Sequence, residues 1–176
     1  MTETTTAGLR AAPARRLSLR VRHALLTVHI VLSVGLLGDS AGYLAVAIRT
    51  STLDDPALVR DSARTLNMFS LVFGIPLSFG ALLTEVALGL GTRWGVLRYP
   101  WVIAKLALVI TVLLVGGLVI GPASNQLLDG HDTTGRLIAG AAYDVVALSL
   151  ATALGVFKPG RPFRRTRPDR PDRDRA

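Results

Sequence analysis

The chain has 176 residues, half of them apolar and 18% charged, with a mean hydropathy of +0.45, which excludes an ordinary soluble domain of this size. It contains no cysteine, which excludes disulfides, thiolate metal sites and cysteine nucleophiles. The formal net charge of +8 lies in the two ends, because residues 23–157 sum to −1, and neither end shows the folded basic surface of a nucleic-acid-binding domain.

Long apolar runs dominate the region between the two ends. They are free of arginine, and three of them exceed the roughly 20 residues that a helix needs to cross a bilayer. The run nearest the N-terminus is too long for the apolar region of a signal peptide, so we expect it to be retained as a span. In chain order the sequence predicts a basic tail (1–22), four transmembrane helices (about 23–48, 66–91, 101–120 and 137–156) and a disordered tail rich in arginine and proline (157–176).

The segments between the helices also carry local signals. Asp55 followed by Pro56 predicts a short helix that runs toward Leu66 and merges into the second span. Pro76 removes a helical hydrogen bond, so we expect a bend near residues 74–76. Residues 121–135 predict an irregular polar loop.

Basic residues are distributed unequally between the two sides of the predicted bundle. Fifteen lie on the side of the termini, against four on the other: Arg49, Arg60, Arg64 and Arg136. The positive-inside rule then places both termini in the cytoplasm and the chain in the inner (plasma) membrane as a multi-pass protein. The arginine-rich tails are expected to contact anionic lipid headgroups.

Charged residues inside an apolar span are costly and therefore mark candidate sites. His29, Glu85 and Lys105 fall at a similar depth near the inner face, in three different helices. Lys105 can extend its ammonium to the headgroups, and Glu85 with Lys105 can form a structural ion pair. Alternatively, the three residues surround a bound ligand or a proton route, since imidazole titrates near neutral pH and binds metals or heme iron.

Two further acids form an outer layer. Asp39 in helix 1 and Asp144 in helix 4 could share a proton, face an aqueous cavity, or be protonated and hydrogen-bonded across helices. Asp144 shares its helix face with small residues, which predicts that it points into the bundle: Gly140, Ala147 and Ala151.

Small residues also flank Asp39. Gly38 and Gly42 have the G-x-x-x-G spacing, which predicts close packing of helix 1 against a neighbour.

Sequence motifs of common enzyme classes are lacking. The chain contains no P-loop, G-x-S-x-G, H-E-x-x-H or dinucleotide fingerprint. His23 and His29 lie on different faces of helix 1, so a bis-histidine heme site within the chain is not expected. The sequence assigns no catalytic residue and favours a protein that is not an enzyme.

Two segments resemble a group of bacterial integral membrane proteins. They are T-V-H-I-V-L-S-V-G-L-L-G (Thr27–Gly38) and G-T-R-W-G-V-L-R-Y-P-W-V-I-A-K-L-A-L-V (Gly91–Val109). The group includes the copper-resistance D-type membrane domain, the four-helix membrane protoporphyrinogen oxidase of heme synthesis, and uncharacterised predicted membrane proteins. The resemblance implies that His29 and Lys105 matter for heme binding and activity.

The chain departs from that group in three ways. Residues 35–38 replace a tryptophan-containing segment, the acids Asp39, Glu85 and Asp144 are additional, and no Met-rich or His-rich copper path is present. The resemblance therefore predicts the architecture of this chain, but we do not infer oxidase activity from it.

The sequence therefore predicts an all-α, four-helix transmembrane bundle with a polar intramembrane core. Its leading function is ligand binding or transport, with heme or a metal as the favoured ligand of His29, Lys105 and Glu85. Asp39 and Asp144 are candidates for proton transfer or ion pairing. A non-enzymatic structural or partner-binding subunit and a heme-pathway oxidoreductase are the alternatives. A homo-oligomer or a membrane partner subunit is compatible with each.

Overall fold

The architecture is a bundle of four helical spans. The structure, a computed structural model, describes residues 18–91 and 99–157, and all regular structure in those ranges is helical. Each span is long and apolar enough to cross a membrane, so the predicted four-helix transmembrane bundle is confirmed. Span 1 is α1 (Leu19–Thr50), and span 4 is α6 (Thr134–Phe157). Span 2 consists of α2 (Pro56–Met68), the π-helical segment π1 (Phe69–Gly74) and α3 (Ile75–Gly91). Span 3 consists of α4 (Pro100–Val115), the π-helical segment π2 (Gly116–Ile120) and α5 (Gly121–Leu128).

Capping residues explain where the spans begin. Ser18 accepts a hydrogen bond from the amide of Val21 and starts α1 four residues before the predicted position. Asp55 accepts from the amide of Ala57 at 2.8 Å, and Pro56 occupies the first turn of α2, so the predicted helix start is confirmed. The remaining residues of the two predicted tails, 1–17 and 158–176, lie outside the described residues.

Prolines accompany both π-helical segments. Pro76 is the second residue of α3, directly after π1, and Pro122 is the second residue of α5, directly after π2. A proline ring lacks an N–H and displaces the carbonyl of the preceding turn, and the wider π turn absorbs that disturbance without ending the helix. The span therefore continues through Pro76, with a π-helical segment directly before the position of the predicted bend.

The loop predicted at residues 121–135 is wrong for its first half. Residues 121–128 form α5, because the π turn before Pro122 absorbs the proline and the helix continues. Gly130, with φ of 91°, ends the helix, and the amide of His131 donates to the carbonyl of Gln126 at 2.9 Å.

The spans pack in a defined order. Span 1 contacts spans 2 and 4, and span 3 contacts span 4, while spans 2 and 3 meet through α2 with α5 and through α3 with α4. We call the end of the bundle where α1 begins and α6 ends the termini side, and the end with the connections 51–55 and 129–133 the loop side. Large apolar side chains are exposed around the outside of all four spans, as expected of a surface that faces lipid.

Glycines lie at several of the close approaches between spans. A Cβ at Gly38 would meet nothing within 4 Å, so that glycine takes no part in the packing predicted for helix 1. A Cβ at Gly42 would lie 3.4 Å from Phe69 of span 2. The tightest position is Gly140, where a Cβ would lie 2.8 Å from Ile120. Span 4 approaches span 3 closely there because the glycine has no side chain.

Candidate functional site

The predicted inner residues meet around one ammonium group. Nζ of Lys105 lies 3.1 Å from Nε2 of His29 and 3.6 Å from Oε1 of Glu85. A Cβ at Gly155 would lie 4.0 Å from the same nitrogen, so all four spans come together at this point. His29 and Glu85 are buried, and Lys105 is largely so. We call His29, Glu85 and Lys105 the charged cluster; it lies in the termini-side half of the bundle.

Hydrogen bonding fixes the state of the His29 ring. An ammonium only donates, so Lys105 donates to Nε2, and Nδ1 carries the ring proton. Nδ1–H donates to Oγ1 of Thr84 at 2.9 Å, and the Thr84 hydroxyl donates in turn to the carbonyl of Gly80 at 2.7 Å. His29 is therefore a neutral imidazole held on both sides.

This arrangement does not fit a heme iron or a metal ion. A metal would need the Nε2 lone pair of His29, which already accepts from Lys105. In residues 18–91 and 99–157, no group of three or more histidine, aspartate and glutamate side chains is placed to hold a metal. We therefore derive no chemistry through heme or a metal at the charged cluster.

The two outer acids are separate from each other. A Cβ at Gly74 would lie 3.4 Å from Oδ2 of Asp39, which places that carboxyl between spans 1 and 2. Asp144 is buried on the small-residue face of α6, as its helix position predicts, and lines a cavity in the bundle. The structure shows no hydrogen bond between the two carboxyl groups.

A cavity of about 570 Å³ occupies the loop-side half of the bundle. Its volume falls within the range of about 300–1,000 Å³ that is typical of small-molecule sites. All four spans contribute to its walls, and spans 2 and 3 contribute the most, through π1, π2 and the turns beside them. Asn67 donates to Oδ1 of Asn125 at 3.1 Å, a bond that joins spans 2 and 3 at the loop-side end of the cavity.

Three buried polar side chains belong to residues that line the cavity. Tyr43, Ser124 and Asp144 are 4%, 2% and 6% exposed, respectively. The Tyr43 hydroxyl, Oγ of Ser124 and Oδ1 of Asp144 form no hydrogen bond of regular geometry, although the hydroxyls of Ser70 and Ser124 lie beside that of Tyr43. An unsatisfied buried polar group costs about 1–3 kcal/mol, so a hydrogen bond to a polar ligand beside these side chains would be favourable.

The cavity opens toward lipid between spans 2 and 3. Four apolar residues of the cavity wall have side chains that are about half exposed or more. The two π-helical segments pack against different spans, π1 against span 1 and π2 against span 4. The gap between the two π-helical segments therefore forms the mouth of the cavity, which is bordered by Leu71, Ile75, Phe79 and Leu114.

An apolar layer lies between the charged cluster and the cavity. Leu36 of span 1, Val112 of span 3 and Leu148 of span 4 are buried in one cluster together with Ala147. Leu36 lies between His29 and Tyr43 along α1, which fixes the depth of the layer. The two polar regions of the core are thus separated by apolar side chains.

Ser124 and the cavity itself were not predicted from the sequence. Ser124 was assigned to an irregular loop, whereas α5 directs it into the bundle, where it is buried. The available signal was the matching pair of prolines, since two disturbed helices facing each other leave a gap. Tyr143, near Asp144 in sequence, points elsewhere and donates to Oγ1 of Thr111 at 2.7 Å.

Comparison with known proteins gives no match to a family model, a curated protein or a solved structure. The resemblance carried by Thr27–Gly38 and Gly91–Val109 therefore stays a prediction.

Proposed function

We propose that this polytopic membrane protein binds an amphipathic small molecule in the cavity between its spans. The observation that carries the proposal is the 570 Å³ cavity, whose wall includes the buried polar residues Tyr43, Ser124 and Asp144. A ligand with an apolar body and a polar head would satisfy those groups and fill the apolar remainder. Binding or transport is the function, and no catalytic residue is assigned.

The mouth of the cavity supports entry from the bilayer. The residues that border it are apolar and face the same surroundings as the lipid-facing side chains of the spans. A molecule that dissolves in the bilayer would reach the cavity between spans 2 and 3 without crossing the loops. With the orientation predicted from the arginines, the cavity lies in the outer half of the membrane.

A structural or partner-binding role is the second candidate, and the charged cluster favours it. Lys105 of span 3 contacts His29 of span 1 and Glu85 of span 2, and its ammonium lies beside span 4. The buried charges can therefore serve to fix how the four helices align. Such a role at the charged cluster is compatible with ligand binding in the separate cavity.

The binding proposal can be tested by photolabelling in phosphatidylcholine nanodiscs. The probe is a dodecyl alcohol that carries a diazirine, and labelled peptides are identified by mass spectrometry. We expect saturable labelling in residues 67–79 and 112–125, which contribute most of the cavity wall.

Two glycine variants provide the matched comparison. Gly116 lines the cavity and Gly38 does not, and a Cβ at either position would meet nothing within 4 Å. Gly116→Leu should therefore remove the saturable labelling by filling the cavity, while Gly38→Leu should retain it. Labelling that rises linearly with probe and is equal in all three proteins would refute the proposal.

A further inference from the structure

Asp144 is a buried carboxyl without a counter-charge. It is 6% exposed, and it forms no hydrogen bond or ion pair with another described residue. An ionised carboxylate in a low-dielectric interior is strongly unfavourable unless a cation accompanies it. Asp144 must therefore hold either a proton or a cation.

The helices packed against α6 supply no cation at this depth. On α1, Asp39 and Tyr43 lie toward the level of Asp144, and neither is basic. On α4, Lys105 lies beside Gly155, which is 11 residues or about 16 Å from Asp144 along α6. The described residues of π2 and α5 include no titratable side chain.

His29 does not change this conclusion. Its ring is a neutral acceptor toward Lys105 and lies beyond the apolar layer, on the termini side. None of the described residues that line the cavity is basic. None of the described residues therefore supplies a cation to Asp144.

We propose that the cavity binds a lipophilic monocation whose positive charge replaces the proton of Asp144. This proposal rests on the proposed function and names its ligand class. The apolar walls and the mouth toward lipid suit a bulky apolar body, and the aromatic ring of Tyr43 is a favourable neighbour for a cation.

The exchange conserves charge. In one state Asp144 is a neutral carboxylic acid; in the other its carboxylate pairs with the bound cation. As one cation enters, the O–H bond of Asp144 breaks and one proton passes to water. The site is electrically neutral in both states, so neither state buries an uncompensated charge.

Tetraphenylphosphonium is a suitable probe because it is lipophilic and its charge is fixed. Tetraphenylborate has the same shape with the opposite charge. Binding of each to the full-length protein in mild detergent is measured by equilibrium dialysis. We expect saturable binding of tetraphenylphosphonium and none of tetraphenylborate.

Proton competition gives a second readout. At pH values at which Asp144 is protonated in the free protein, tetraphenylphosphonium should bind about tenfold more weakly for each unit by which the pH is lowered. Calorimetry in two buffers of different ionisation enthalpy should show one proton released per cation bound.

Variants assign the effect to Asp144. Asp144→Asn should weaken binding of tetraphenylphosphonium at least about tenfold and abolish its pH dependence, since an amide cannot ionise. Asp39→Asn is the matched control in the same half of the bundle, and its binding should stay close to wild type because Asp39 is outside the cavity wall. A circular dichroism spectrum and an elution volume equal to those of the wild-type protein would confirm that both variants fold.

The outcomes separate this inference from the proposed function. Equal binding of the two ions, or equal binding by wild type and Asp144→Asn, would overturn the cation inference. Saturable photolabelling by the dodecyl alcohol would then still support a cavity ligand. If the wild-type protein shows neither saturable photolabelling nor binding of tetraphenylphosphonium, both proposals are refuted.

Discussion

The ammonium of Lys105 is the most connected charged group in the core. It lies between a neutral imidazole and a carboxylate, at 3.1 Å and 3.6 Å. Each partner on its own would be costly inside a bilayer, and together the two charges of Lys105 and Glu85 cancel. The depth of these residues could be predicted from the sequence, because a helix advances 1.5 Å per residue.

Removing one charge of the pair should cost more stability than removing both. Lys105→Met leaves the buried carboxyl of Glu85 without its cation, and loss of one partner of a buried pair costs about 3–5 kcal/mol. Lys105→Met with Glu85→Gln removes both charges and should recover most of that loss. Reversible unfolding of the single and double variants in one detergent measures the coupling.

Two controls make that cycle interpretable. Glu85→Gln alone leaves the ammonium of Lys105 without its carboxylate, so it should also destabilise the fold. Single variants as stable as the wild-type protein would show that the Lys105 ammonium reaches the lipid headgroups. The Glu85–Lys105 pair would then contribute nothing to the free energy of unfolding.

At the scale of the element, the start of α6 carries an exposed cap. Oδ1 of Asp132 accepts from the hydroxyl of Thr134 at 2.6 Å and from its amide at 3.2 Å. These bonds, the hydroxyl first, hold the pKa of Asp132 below its usual range. The ionised carboxylate therefore stabilises the first turn of α6, where the helix dipole also favours negative charge.

This cap predicts a pH-dependent contribution to stability. Because the pKa is lower in the folded state, the contribution is complete above the ordinary aspartate pKa and is lost as the pH falls through the folded value. Asp132→Ala should lower the melting temperature near neutral pH, and the difference from wild type should narrow on acidification. His131→Ala, next to the cap in the same loop, serves as control. A difference that is constant with pH would contradict this account.

The helices show what the sequence predicts well and what it does not. Apolar runs and the Asp55–Pro56 cap predicted the spans and the start of α2, since both are local properties. The sequence also placed Asp144 on the buried face, because helical spacing puts it beside Gly140 and Ala147. The π-helical segments and α5 were not predicted, since whether a proline ends a helix or only widens it depends on the neighbouring spans.

At the scale of the whole molecule, the core alternates along the membrane normal. A charged cluster lies on the termini side, an apolar layer in the middle and a cavity with polar groups on the loop side. Which side faces the cytoplasm stays a prediction from the distribution of arginines. The layering itself does not depend on that orientation.

The apolar layer should keep protons from passing between the two polar regions. Leu36 is 2% exposed and packs with Val112 and Leu148, so apolar side chains fill the core around it. Liposomes containing the wild-type protein should therefore hold a pH gradient, as reported by trapped pyranine under a valinomycin-driven potential.

A polar side chain in the layer should create a leak. Leu36→Asn puts an amide between the charged cluster and the cavity, so proton entry should rise several-fold over wild type. Leu148→Asn should act in the same direction from the neighbouring span 4. Gly38→Asn places the same amide two residues away in open space outside the cavity wall, and it should leave the liposomes tight. A leak in the wild type, or equal leaks at residues 36 and 38, would mean that the layer is not the barrier. A tight wild type with leaky layer variants would show that the layer is the barrier between the charged cluster and the cavity.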